Sequence, residues 1–173
     1  MRVSGGTTAW LNDAGDDRAA GLLREVCASR AWARAVLTAR PYPDLAALLA
    51  ASDLATAELV GADLDEAFAG HPPIGRPRPG DPVSAAEQGG VADAQRAEFL
   101  RLNEEYRQRF GHVFLICATG RGGEEMLAAL RERLGNPAER EREIARAELG
   151  RINRLRLVRL AARQEAAQQE GAR

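Results

Sequence analysis

The chain has 173 residues and a formal net charge of −1, enough length for one buried core and no overall field to draw it to nucleic acid or an anionic membrane. Hydrophobic residues are 45% and charged residues 28% of the chain, with Ala, Leu, Arg and Glu prominent, so the composition points to a single all-α globular domain over residues 1–173. All 24 basic residues are Arg, and the missing lysine excludes Schiff-base catalysis, pyridoxal phosphate chemistry included, as well as a lysine-bearing phosphate loop.

Residues 1–15 are weakly patterned and read as a partly ordered leader, after which Asp16 or Asp17 is the expected cap of a first helix. Leu22, Leu23, Val26, Cys27, Ala31, Trp32, Ala35 and Val36 recur at helical spacing, which predicts one helix reaching about Thr38. Arg40-Pro41-Tyr42-Pro43 stops it. Asp44 is placed to cap a short helix carrying Leu45, Leu48 and Leu49, and Asp53 or Asp63 to cap further helical pieces up to Phe68.

Residues 70–83 hold five of the eight prolines and three glycines, so they form neither a regular helix nor a central strand. A domain linker is one reading; a stiff loop crossing a functional site is the favoured one, because Ser84 directly follows as a helix cap. The helix predicted from Ser84 runs to Phe110, with Phe99, Leu102, Tyr106 and Phe110 on one stripe and Gly111 as the terminating residue. Val113–Ala118 is a short apolar run expected to be extended, and Gly120–Gly123 is a turn before a helix to Leu134. Asn136 and Pro137 then open a last helix to about Gln169, whose apolar stripe is predicted as Ile144, Ala147, Ile152, Leu155, Val158 and Leu160.

Chemistry has few seats in this chain. Of the two histidines, His71 lies inside the proline loop, where a side chain titrating near neutral pH can exchange protons, whereas His112 follows Gly111 and reads as a cap or packing residue. Ser84 and Glu87 match a capping box, and together with Gln88 they gather acceptor, carboxylate and amide groups beside the histidine loop. On the last helix Arg151, Arg154, Arg159 and Arg163 read as a solvated basic face. Arg156, between Leu155 and Leu157, needs an anion if it turns inward. Cys27 and Cys117 lie far apart without a CxxC motif, no metal-ligand motif or dinucleotide fingerprint is present, and no run is long enough for a membrane span. The expectation is a cytoplasmic protein with no metal, no cofactor, no nucleic-acid partner and no membrane association.

Taken in order, several segments resemble the 2-oxo-4-hydroxy-4-carboxy-5-ureidoimidazoline (OHCU) decarboxylase family from about residue 10 to 163: Cys27–Ala33, Arg40–Leu45, Gly70–Gly75, Ser84–Gln88, Leu102–Gly111 with Phe114–Ala118, Arg133–Asn136 and Leu155–Leu157. The resemblance implies an all-α homodimer that acts on OHCU without a cofactor to give (S)-allantoin. It further implies that His71 is the catalytic acid/base with Pro72 beside it lining the substrate, and that Ser84, Glu87, Gln88 and Arg156 hold the substrate; the residue chemistry adds Glu87 as a catalytic group that shares or tunes the His71 proton. Phe114, Leu115, Ile116, Cys117 and Ala118 would line the pocket, partly through backbone groups. The sequence departs from the family at Pro73, where a charged residue is common, and in a shorter loop to Ser84. A non-catalytic helical interaction module, and a hydrolase or isomerase of another ureide, are the alternatives left open by the residues alone.

Overall fold

In the computed structural model, residues 8–76, 80 and 93–171 are described, and every regular element among them is a helix. We number these α1 (Ala9–Asn12), α2 (Asp16–Val26), α3 (Arg30–Thr38), α4 (Leu45–Ala57), α5 (Gly61–Ala69), α6 (Asp93–Phe110), α7 (Gly123–Arg133) and α8 (Ala138–Gly171). Two compact units are present: one takes in the chain up to Glu66 and from Gly150 onward, the other is Ala67–Leu149. No single helix among the described residues is long and apolar enough to cross a membrane.

In the first unit the expected leader is in part structure. Trp10 and Leu11 of α1 are buried, and the short helix is tied to the loop after α3 by Thr8 Oγ1 and Asn12 Nδ2, which donate to the Tyr42 carbonyl at 2.9 and 2.8 Å. The Tyr42 N–H donates to Asn12 Oδ1 at 2.9 Å. A four-residue helix has too few internal bonds to stand alone, and these side-chain bonds together with apolar burial hold it. Gly15, not Asp16 or Asp17, occupies the cap of α2; both aspartates fall in its first turn, where they favour the positive helix end.

The single helix expected to Thr38 is two. The chain is extended at Cys27, and Ser29 starts α3 with its Oγ accepting the Trp32 N–H at 3.2 Å. A serine side chain that satisfies an orphan N–H favours such a restart, and the periodicity carried across the break because both pieces turn an apolar face to the same core. Trp32 is fully buried and donates its indole N–H to the Ser52 carbonyl at 3.3 Å. Asp44 caps α4 as expected, accepting the Ala47 N–H at 2.8 Å. Asp53 is not a cap; it lies inside α4 and pairs with Arg154. Asp63 is in the first turn of α5.

In the second unit Phe99, Leu102 and Tyr106 of α6 pack with Phe114, Ile116, Met126, Leu127 and Leu130, while Phe110 sits at the edge of this cluster. Gly111 ends α6 as expected with φ +78°, a conformation glycine adopts without a Cβ penalty, and its N–H returns to the Arg107 carbonyl at 2.8 Å. The start of this helix predicted at Ser84, with the capping box, lies outside the described residues.

The predicted stripe of α8 is corrected. Ala147 is exposed and Val158 is 41% exposed, whereas Glu141, Ala145, Glu148, Leu149, Ile152, Leu157, Leu160 and Ala161 are buried. Ile152 and Leu160 of the predicted stripe are thus buried and Ile144 and Leu155 half-buried, but two members of the buried set are glutamates, so hydrophobicity alone finds only part of the buried face.

Candidate active site

His71 follows α5 directly and is 8% exposed. Its backbone N–H closes the helix end on the Phe68 carbonyl at 3.1 Å, and the Arg76 N–H turns back onto the Pro73 carbonyl at 3.1 Å. Asn103 of α6 donates its amide to the Ile74 carbonyl at 2.8 Å, and Ile74 itself is buried. Gly75 has φ +86°, and a Cβ there would lie 3.2 Å from Cβ of Phe99, so only glycine lets the loop come this close to α6. Within the second unit, residues 71–76 are thus held against α6 by a turn, a buried side-chain bond and a close backbone approach. Pro72 and Pro73 are half-buried.

Phe114–Ala118 lies in the same unit, outside any helix, with all five residues buried. Buried backbone without a helix must find other partners. Two are ionisable side chains: Arg133 Nη1 donates to the Leu115 carbonyl at 2.7 Å, and Glu148 Oε2 accepts the Cys117 N–H at 2.7 Å. The Arg133 guanidinium also stands 4.5 Å from the centroid of the Phe114 ring. It pairs with Glu141, which is 0% exposed, through Nε at 2.6 Å and Nη2 at 2.5 Å, all at Oε1. Tyr106 donates its hydroxyl to the same oxygen at 2.6 Å, and the Asn136 amide donates to Oε2 at 3.0 Å. Burial and the adjoining carboxylate push the Tyr106 phenol far above its ordinary value, so it remains a donor.

His112 is a packing residue, as expected. Its ring lies 4.8 Å from Phe68 and 5.5 Å from Tyr106, and Nδ1 is 3.0 Å from the Val113 carbonyl, an arrangement in which Nδ1 carries the hydrogen.

Arg156 belongs to the first unit. It is half-buried and donates Nη1 to the Val26 carbonyl at 3.2 Å, at the C-terminal end of α2. Arg151, Arg154, Arg159 and Arg163 are exposed, with Arg163 paired to Glu25 at 2.6 Å. Of these five arginines, Arg156 alone is half-buried. Burial pushes the neighbouring Cys27 thiol up to about 11, against the opposing pull of the Ser29 backbone, Asn153 and the Arg156 charge.

His71, Pro72 and Phe114–Ala118 thus share one unit, and Arg156 lies in the other. Ser84, Glu87 and Gln88 lie outside the described residues. Sequence reasoning gave no role to Asn103, Arg133, Glu141 or Glu148, although Asn103 and Arg133 fall inside segments that resemble the family and Glu141 and Glu148 share helical spacing with Ala145, Leu149 and Ile152.

Residues 12–158 match the family model described as OHCU decarboxylase. The chain is 35% identical over 144 residues to the uric acid degradation bifunctional protein TTL of Arabidopsis thaliana, covering 78% of this chain and 44% of that protein. It is 48% identical over 61 residues to the 2-oxo-4-hydroxy-4-carboxy-5-ureidoimidazoline decarboxylase of Amia calva, covering 35% of each. The matches therefore span less than half the length of these two curated relatives. Among solved structures, a crystal structure of OHCU decarboxylase in the presence of (S)-allantoin superposes with a TM-score of 0.73 at 29% identity, covering 86% of this chain and 99% of that one. With most of its length matched by the family model and the helical architecture of that relative, the chain belongs to the OHCU decarboxylase family.

Proposed function

We propose that this protein decarboxylates OHCU to (S)-allantoin in urate degradation, with His71 as the acid/base. The observation that carries the reading is that the family match over residues 12–158 contains every candidate site residue, from His71 through Arg156. In OHCU the departing carboxylate is attached next to an imine-like ring carbon. When the C–C bond breaks and CO2 leaves, the electron pair enters the ring C=N system, and a proton is then delivered to one face. The enzyme's tasks are to hold the anionic and ureido groups, to stabilise the developing charge and to choose the face.

His71, kept from bulk water in a stiff loop, suits proton exchange near neutral pH, and Glu87 is its proposed partner. Ser84, Gln88 and Arg156 are the proposed grips on the substrate, Arg156 because a guanidinium matches a carboxylate in charge and shape. Pro72 and Phe114–Ala118 are the proposed pocket wall. We further propose a homodimeric, cytoplasmic enzyme that works without an added cofactor.

The test is to generate OHCU from urate in situ and follow (S)-allantoin by circular dichroism with and without the protein. The expected result is faster appearance of optically active allantoin, unaffected by a chelator. A rate equal to the spontaneous background, or a loss with chelator that a divalent metal restores, refutes the reading.

A further inference from the structure

We infer that Glu148, acting with Arg133, is a positioning residue for this reaction: the two side chains set the orientation of the Phe114–Ala118 backbone. The inference rests on the decarboxylase reading, which makes that segment a pocket wall.

The two bonds have opposite polarity. Arg133 gives a hydrogen to the Leu115 carbonyl, and Glu148 takes one from the Cys117 N–H, two residues on, both at 2.7 Å. A cation can only donate and a carboxylate can only accept. A peptide flip, or a slip of the segment by one residue, would turn a carbonyl toward Glu148 or an N–H toward Arg133, and both are repulsive. Neutral amide partners would tolerate either error. The pair therefore dictates which backbone groups face the protein and so which are left to face a ligand.

The anchors are themselves buried. Arg133 is 7% exposed and locked by Glu141, which Tyr106 and Asn136 hold in turn. Glu148 is 6% exposed and lies on the buried stripe of α8. Burying a carboxylate is costly, and a leucine at this position would pack at least as well in a helix stripe. What leucine could not do is fix the Cys117 N–H through a strong, charge-assisted bond.

The experiment compares Glu148→Gln, Glu148→Ala and Glu148→Asp by steady-state kinetics of allantoin formation, with thermal melts alongside. Glu148→Gln keeps an oxygen for the Cys117 N–H but can turn its amide over and no longer enforces the polarity, so it is expected to raise KM only about threefold, whereas Glu148→Ala strands a buried N–H and is expected to raise KM about tenfold or more, with a smaller change in kcat. Should the alanine variant not fold, Glu148→Asp retains the charge but withdraws the oxygen, and a KM rise in the same direction is expected. A purely structural residue would lower the melting temperature and leave KM of the folded protein unmoved. A folded Ala or Asp variant with wild-type KM, or a Gln variant as impaired as Ala, overturns the inference while the wild type remains active. A wild type with no activity above background instead overturns the decarboxylase reading, and this inference with it.

Discussion

Arg133→Met isolates the central polar network of the second unit. The substitution keeps an unbranched apolar stem but removes the guanidinium that contacts Glu141 Oε1 at 2.5 and 2.6 Å and the Leu115 carbonyl at 2.7 Å. Glu141 is 0% exposed, so its carboxylate is left with two neutral donors, Tyr106 and Asn136, and no counter-charge. Removing one partner of a buried pair costs about 3–5 kcal/mol, at least about a fifth of the stability of an ordinary domain. Adding Glu141→Gln neutralises the stranded charge while keeping an acceptor for the Tyr106 hydroxyl. The double variant is therefore expected to recover about half of the loss. Urea denaturation followed by far-UV circular dichroism measures both. A single variant that costs less than about 1 kcal/mol, or a double variant no more stable than the single, would show that the network is not a coupled ion pair and refute the reasoning.

Three further outcomes are expected. His71→Asn should stay helical yet lose about a hundred- to ten-thousand-fold of the rate above background, whereas His112→Asn should retain catalysis and lower the melting temperature by disturbing the Phe68 and Tyr106 packing; initial rates with melting curves separate the two. Arg156→Ala should impair substrate binding where Arg154→Ala, which only breaks an exposed pair with Asp53, should not; KM for both variants decides, and a silent Arg156→Ala removes that residue from the site. Because the Cys27 thiol is raised from 9.0 to about 11 in the folded chain, its contribution of about 2–3 kcal/mol is complete below pH 9 and lost as pH rises toward 11; a stability-versus-pH series should therefore be flatter in that window for Cys27→Ala.

Several parts of this protein were legible because local chemistry decides them. Asp44 caps α4 and Gly111 ends α6, since an accepting side chain and a residue free to take positive φ do the same work in any helix. The Phe99, Leu102 and Tyr106 stripe was readable for the same reason. The ordered segments that resemble the OHCU decarboxylase family also marked His71 and Arg156, one now found buried in its loop and the other half-buried on α8. What sequence could not decide depends on residues distant in the chain. The short helix α1 exists because Tyr42, about thirty positions later, binds it. The α2–α3 break was hidden because apolar spacing continues through it. The buried face of α8 was read only in part because Glu141 and Glu148 look like surface residues until their partners are known, and those partners, Arg133 and the Cys117 N–H, come from elsewhere in the fold. A charged side chain is stable in a core only when another segment brings the opposite charge or a free backbone group to it. Composition and periodicity carry the cost of that burial, and tertiary structure alone supplies the compensation.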